Sequence, residues 1–326
     1  MKNVLITGGC GFIGSNFIRL LLEQRPEVSI INLDKLTYAA NPESLHDVEA
    51  AFSNRYRFVQ GDICDQQLVA ELMKKVDTVF HFAAESHVDR SIWGPYIFTQ
   101  TNVLGTHILL ESARLAGVKK FIHVSTDEVY GSIQDGKFKE SDPLQPSSPY
   151  SASKAGADVL AQSYFTTYRF SVIITRSSNN YGPFQHPEKV IPLFITNLLE
   201  GKKVPLYGDG LNVRDWIYVH DNCEGILFAA EHGEAGEAYN VGGGNELPNI
   251  ELTKKILQAL GKSEDQIAHV ADRLGHDRRY ALDCTKIQKL GWKPKHSFDD
   301  GLRETIAWYV NHVEWWKKLK KTVRNS

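Results

Sequence analysis

The residues best suited to chemistry are two adjacent carboxylates, Asp127 and Glu128. They follow two hydroxyls, Ser125 and Thr126, at the end of the apolar run Phe121-Ile-His-Val124. That run has the β-branched and aromatic content of a strand, and the C-terminal ends of strands are where α/β sheets bind their ligands. A base and an acid of different pKa, side by side in a dry site, can remove one proton and deliver another. Further on, Tyr150-Ser-Ala-Ser-Lys154 opens a helical pattern after a polar, proline-containing loop. Positions i and i+4 share a helix face, so the phenol and the ammonium project together. A phenol, with a reference pKa of about 10, is a poor base at neutral pH. A neighbouring ammonium favours the phenolate. Each motif also has a bland reading, as turn acids or as a chance Tyr-x-x-x-Lys. There is also a geometric condition. Successive residues of a strand face opposite ways, so both carboxylates reach one substrate only if the backbone leaves strand geometry near Thr126–Glu128. A bend is expected there.

The elements that must position these groups alternate from the start. Strand-length apolar runs at Val4–Thr7, Ser29–Asp34, Tyr56–Asp62, Thr78–Ala84 and Lys119–Thr126 are interleaved with helical patterns at Phe12–Glu23, Gln66–Lys75 and Tyr96–Ala116. Such alternation predicts an α/β fold with a doubly wound, parallel, Rossmann-type sheet. A helix over Ser151–Arg169 and a strand over Ser171–Arg176 continue it. Beyond lie the loop-rich segments Pro183–Pro192 and Gly201–Gly210, with a short helix near Leu193–Leu199 between them. These predict a smaller α/β substrate domain. Trp216–His220 and Tyr239–Gly242 read as short strands that rejoin the first domain. The expected division is residues 1–178, with 214–243 partly returning, for the cofactor, and 179–213 with 244–326 for the substrate. An aromatic helix from Phe298 to about Lys318 carries Trp308, Trp315 and Trp316, read as packing residues.

The first strand turns into its helix through Thr7-Gly-Gly-Cys-Gly-Phe-Ile-Gly14. Gly8, Gly11 and Gly14 allow a tight turn and close approach of a pyrophosphate to the amides that open the helix with Phe12 and Ile13. Asp34, at the end of the second strand, is placed to bond an adenosine ribose and would repel a 2′-phosphate, so NAD is expected rather than NADP. Lys35 is read as pointing to solvent. Asp62, followed by Ile63, is placed to bond an adenine amine, and the small residues of Phe82-Ala83-Ala84-Glu85-Ser86 suit close approach by a cofactor or sugar. His87 reads as an ordinary loop histidine.

Composition narrows the class. The chain has 326 residues, a formal net charge of −2 and a sequence pI of about 6.6, so no basic surface speaks for nucleic acid. Cys10, Cys64, Cys223 and Cys284 are scattered without metal or disulfide spacing, as in reduced cytoplasmic proteins. No metal site is expected. The strand at the N-terminus leaves no room for a signal peptide, and no apolar run approaches the roughly 18 residues of a membrane span.

Together these motifs resemble the short-chain dehydrogenase/reductase superfamily, in its extended, sugar-nucleotide-modifying branch. The resemblance covers essentially the whole chain, through Thr7–Gly14, Asp34-Lys-Leu-Thr-Tyr38, Ala84-Glu-Ser-His-Val-Asp-Arg-Ser91 and Tyr150–Lys154. Ser125-Thr-Asp-Glu-Val-Tyr-Gly131 and Arg176-Ser-Ser-Asn-Asn-Tyr-Gly-Pro183 are more narrowly similar to the dTDP-glucose 4,6-dehydratases. The resemblance implies bound NAD, dTDP-glucose as the substrate, and a homodimer formed through the helices near Tyr96–Ala116 and Ser151–Arg169. It implies further cofactor contacts from Lys35, Leu36, Thr37, Ser86, Thr101, Lys154 and Asn180. Asn179 and Ser86 would contact the sugar end of the substrate. Lys189, Val190, Ile191, Pro192, Leu193 and Phe194, with Pro205, Leu206 and Tyr207, would line the nucleotide pocket. Arg214 and Arg273 would bind the diphosphate, with Asn249, Asp272 and His276 beside them. The chain departs from the family in Leu274, where proline is usual, and in shorter loops after Gly131 and around Gly261, which bears on substrate breadth.

The implied reaction removes water across C5 and C6 of the glucose ring and leaves a 4-keto-6-deoxy sugar. Tyr150 would take the C4 hydroxyl proton, with Thr126 bonding the reacting oxygen. Glu128 would remove the C5 proton, and Asp127, kept protonated, would protonate the departing C6 hydroxyl. Rival readings are a dehydratase or epimerase acting on another nucleotide-sugar, such as UDP-glucose, and a non-catalytic NAD sensor. The acid pair speaks against epimerisation, and the intact Thr126, Tyr150 and Lys154 set speaks against a sensor.

Overall fold

The computed structural model describes residues 1–272 and 276–323. The first six strands are β1 (Asn3–Thr7), β2 (Ser29–Asp34), β3 (Tyr56–Gln60), β4 (Thr78–His81), β5 (Lys120–Thr126) and β6 (Val172–Ser177). Six shorter ones follow: β7 (Asn179–Tyr181), β8 (Val204–Tyr207), β9 (Val213–Tyr218), β10 (Ala238–Val241), β11 (Glu246–Pro248) and β12 (Ile267–Val270). The large sheet has the order β10-β6-β5-β4-β1-β2-β3, and every pairing in it is parallel. The order reverses between β1 and β4, so a crevice opens there beyond the strands' carboxyl ends.

Helices cover both faces, which is why the strands are almost wholly apolar. On one face Phe17, Ile18 and Leu21 of the helix Phe12–Gln24 pack with Cys223, Ile226 and Leu227 of the helix Val219–His232. On the other, Val69, Leu72, Leu109, Leu110, Ala161 and Tyr164 seal the sheet. Two small sheets, β11-β9-β7 and β12-β8, belong to a separate apolar core that contains Phe194, Ile195, Leu252, Ile256, Tyr309 and Trp316. No helix among the described residues is long and apolar enough to cross a membrane.

Three expectations change in detail. The strand containing Trp216 does not join the large sheet. It pairs with β7 and β11, because Trp216 and Tyr218 pack around Tyr181, with ring centroids 6.4 and 5.7 Å from it. Only β10 and the helix Val219–His232 return to the large sheet. The C-terminal helix breaks at His312 into Phe298–Asn311 and Val313–Val323, so that Trp316 enters the core and donates to the Tyr309 carbonyl at 2.9 Å. The long helix at 95–115 is π-wound over Thr99–Gly105. Such wide turns recur at functional sites. Here the buried Asn102 accepts from the Glu85 amide at 2.8 Å and donates to the Glu85 carbonyl at 3.0 Å and to Ser153 Oγ at 2.8 Å. It fixes the loop after β4 against the helix Pro149–Tyr168.

The expected bend is present. β5 ends at Thr126, and Asp127–Tyr130 form a single 3₁₀ turn whose cap is Thr126 Oγ1, accepting from the Glu128 amide at 3.3 Å. Gly131 closes the turn at φ 83°, ψ −159°, a conformation essentially confined to glycine. A Cβ there would lie 2.3 Å from the Gln145 carbonyl oxygen. Gly131→Ala is expected to lower stability by about 1–3 kcal/mol from backbone conformation alone, read as a lower midpoint in equilibrium urea unfolding. An unchanged midpoint would mean that the turn has room to relax.

Candidate active site

Two cavities meet at the carboxyl edge of the large sheet. One, of about 330 Å³, runs along the glycine turn, β2 and the loop after β4. The other, of about 260 Å³, lies between that edge and the smaller core. Ser86, Glu128, Tyr150, Asn179, Asn180, Gln185 and Lys189 line both, so the acid–base groups stand at the seam.

The larger cavity is built for a dinucleotide. Gly11 caps the helix Phe12–Gln24 with no side-chain bond and no acid in the first turn, so the orphan amides of that turn open on the cavity that Gly8, Gly11, Phe12, Ile13 and Gly14 line. A Cβ on Gly14 would lie 2.3 Å from the Gly8 carbonyl oxygen, and one on Gly8 would lie 2.6 Å from the Ala83 nitrogen. The turn therefore closes on itself and against the loop after β4 only because those side chains are absent. Asp34 is buried at the end of β2 and accepts from the amides of Cys10 at 2.9 Å and Leu36 at 2.8 Å. Burial raises its carboxyl and those bonds pull it back. Thr37, Asp62, Ile63, Phe82, Ala83, Ala84, Ser86 and Thr101 line the same cavity. Lys35 does not simply point to solvent: its ammonium sits 2.7 Å from Asp62 on the rim. Leu36 turns its side chain into the core, so only its amide serves the site.

At the seam, Asp127 is 2% exposed, and its Oδ1 accepts from the Thr126 hydroxyl at 3.2 Å. Its other oxygen is buried without a partner. Burial, then the charges of Glu128 and Asp215, hold its carboxyl well above the usual range, which favours the protonated form. The turn sets Glu128 into both cavities beside Tyr150. Tyr150 packs edge-on against Phe98, 6.2 Å between centroids. Its phenol is raised, by burial first and then by Glu128 and Asp127. Burial thus works against the phenolate that Tyr-x-x-x-Lys leads one to expect. Lys154 is buried on the next turn of the helix and donates to the Val124 carbonyl at 2.8 Å; burial lowers its ammonium to about 8.

The smaller cavity gathers Val190, Leu193, Phe194, Pro205, Leu206, Tyr207, Asn249 and His276 with Lys189 and Asn179. Arg214, nearly buried, is braced by its bond to the Asp277 carbonyl at 2.9 Å and stands 4.3 Å from the Tyr280 ring centroid. The Oδ1 atoms of Asn179 and Asn180 are buried without partners, as groups awaiting a ligand would be. Ile191 and Pro192 lie on the core side of the helix Val190–Leu199 and line neither of these two cavities, since only one stripe of a helix can face the pocket. Asp272 does not line it either; it bonds His276 Nδ1 at 2.6 Å and orients that ring. Arg273 lies outside the described residues. Missed by the sequence reading were Ser178, Gln185, His186, Glu188, Trp216 and Tyr280. Their signal was adjacency to segments already singled out, since Ser178 is inside Arg176–Pro183 and Gln185, His186 and Glu188 are inside Pro183–Pro192.

Comparison with known proteins agrees with this geometry. The family model for GDP-mannose 4,6 dehydratase matches residues 5–305. The dTDP-glucose 4,6-dehydratase of Streptomyces antibioticus is 53% identical over 325 residues, covering 98% of this chain and 96% of that protein. The low-salt glycan biosynthesis protein Agl12 of Haloferax volcanii is 52% identical over 314 residues, covering 96% of this chain and all of that one. The crystal structure of DesIV, the dTDP-glucose 4,6-dehydratase of Streptomyces venezuelae, with NAD bound, superposes with a TM-score of 0.94 at 54% identity, over 97% of this chain and 99% of that one. By sequence, fold and the architecture of its paired cavities, this chain belongs to the 4,6-dehydratase family of the extended short-chain dehydrogenase/reductase superfamily.

Proposed function

We propose that the chain catalyses the NAD-dependent dehydration of dTDP-glucose to dTDP-4-keto-6-deoxyglucose, as a hydro-lyase of deoxysugar biosynthesis. The observation that carries this is the seam: a buried acid raised towards its protonated form, a second acid and a tyrosine stand where a dinucleotide cavity meets a second one. Tyr150 takes the C4 hydroxyl proton and Thr126 bonds that oxygen. Glu128 removes the C5 proton, which the new ketone has made acidic, and Asp127 gives its proton to the leaving C6 hydroxyl. When bound, NAD supplies the hydride acceptor at C4, the hydride returned to C6 and a positive ring that favours the Tyr150 phenolate. Residues 1–178 hold the cofactor, while 179–213 and 244–326 hold the nucleotide-sugar; Arg214 faces the diphosphate, for which a guanidinium fork is well matched, and the resemblance gives Arg273 the same role. The names of the relatives above support thymidine over uridine. An epimerase has no use for a protonated acid beside a base, which argues against that rival.

The chain is expected to form a cytoplasmic homodimer. Four free cysteines suit a reducing compartment. Tyr96, Leu104 and Val159 are 78%, 46% and 62% exposed on the helical segments 95–115 and 149–168, an apolar face that a second copy would cover.

Incubation with dTDP-glucose and with UDP-glucose, followed by alkali, tests the activity through the absorbance of a 4-keto sugar. Product is expected from dTDP-glucose, and its absence from both would overturn the reading. Tyr150→Phe should lower turnover roughly 10²–10⁴-fold, the worth of a positioned proton acceptor. Glu128→Gln should accumulate reduced nicotinamide absorbance on adding substrate and then stall; full turnover by it would remove Glu128 as the base. For the dimer, light scattering should report twice the chain mass for the wild type and a single chain for Leu104→Glu/Val159→Glu. An unchanged mass in that variant would place the interface elsewhere.

A further inference from the structure

Beneath the seam lies a charged cluster that neither cavity touches. Asp158 is 1% exposed, one helical turn beyond Lys154. Arg176 of β6 donates from Nε to Asp158 Oδ2 at 2.8 Å and from a terminal nitrogen to Tyr130 Oη at 2.8 Å. His123 Nε2 of β5 lies 3.2 Å from Asp158 Oδ1. His81 of β4 is held between Thr7 Oγ1 and Thr106 Oγ1, at 2.8 Å each, with its ring 5.4 Å from that of His123. Burial and the nearby Lys154 keep both histidines neutral. Lys154 shares the wall of the larger cavity with Tyr150, Asp127 and Glu128, its charge bears on His81 and His123, and Asp158, held by Arg176, follows it on the same helix. A buried ion pair is seldom needed for stability, since apolar residues of the same volume serve as well or better. Its position, one turn from a desolvated ammonium, supplies another reason for it.

We propose that Asp158 is a positioning residue for Lys154: clamped by Arg176, its carboxylate is the buried counter-charge that keeps the Lys154 ammonium protonated and aimed at the site. The inference concerns the same site as the proposed dehydratase and rests on Lys154 acting there as a cation. A desolvated ammonium loses its proton readily unless an anion stands near. Lys154 has only a neutral carbonyl as its direct acceptor, so that anion must act through space.

NMR titration of full-length protein labelled with ¹³C at the lysine ε-carbon tests this, the Lys154 signal being assigned by its loss in Lys154→Met. The wild type should titrate near pH 8. Asp158→Asn should move the midpoint down by about one pH unit, close to tenfold in proton affinity. Asp158→Glu, which keeps the charge, should stay near the wild type. If Asp158→Asn does not fold, Asp158→Asn/Arg176→Gln leaves no unpaired guanidinium and should show the same downward move. The signal reports ionisation without substrate, so failure of the dehydratase assay and failure of this inference are separate results. An equal midpoint in the wild type and the charge-removing variant, or equal shifts in the Asn and Glu variants, would overturn it.

Discussion

Desolvation at the carboxyl end of β5 is the constraint on which the rest depends. Parallel strands are sealed by helices on both faces, so a side chain leaving the last strand residue enters a space with little water. There a carboxyl cannot ionise cheaply, and a second carboxylate beside it makes ionisation harder still. Asp127 is therefore an acid because of where it is. The same residue in a solvated turn would be a carboxylate with no proton to give. The fold's largest contribution to the chemistry is to hold this edge dry while leaving Glu128 open to both cavities.

The same desolvation acts on the cations. It lowers Lys154 to about 8 and raises the phenol of Tyr150, so both lean towards their neutral forms. Charge placement must counter this, and the protein does so from below, with Asp158 a helical turn away and Arg176 fixing that carboxylate in turn. The seam is thus layered, with reacting groups above and a fixed charge cluster beneath. The layers are joined by β5, which contributes His123 to the lower one, the Val124 carbonyl between them, and Thr126 to the upper.

What was legible in the sequence follows from how local each determinant is. The parallel sheet, the glycine cradle, Asp34 and the bend after Thr126 are written in neighbouring residues, and the structure places them as expected. Partners chosen across the fold were not legible. The alternation around Trp216 marks a strand but cannot say whether β6 or β7 will receive it; aromatic packing with Tyr181 decides. Treating 189–194 as one pocket wall ignored the helix period, which turns Ile191 and Pro192 away. Lys35 was taken as solvent-facing because its partner Asp62 is far off in sequence. The burial of Tyr150 and its exposure to Glu128 were not legible either, because a motif names a residue's neighbours in the helix, whereas burial and groups from the turn after β5 act on its phenol.

The two halves of the proposed reaction make unequal demands on this scaffold. Oxidation at one carbon needs a dinucleotide cradle, a tyrosine and a cation, all carried by the sheet and the helix Pro149–Tyr168. Elimination adds only a proton donor and a proton acceptor within reach of the next carbons. A single 3₁₀ turn supplies both, because it breaks the strand's alternation at the one point where consecutive side chains must face the same ligand. The register of four residues, capped by Thr126 and closed by Gly131, therefore decides whether a nucleotide-sugar oxidised here can also lose water, and the remainder of the fold is indifferent to the difference.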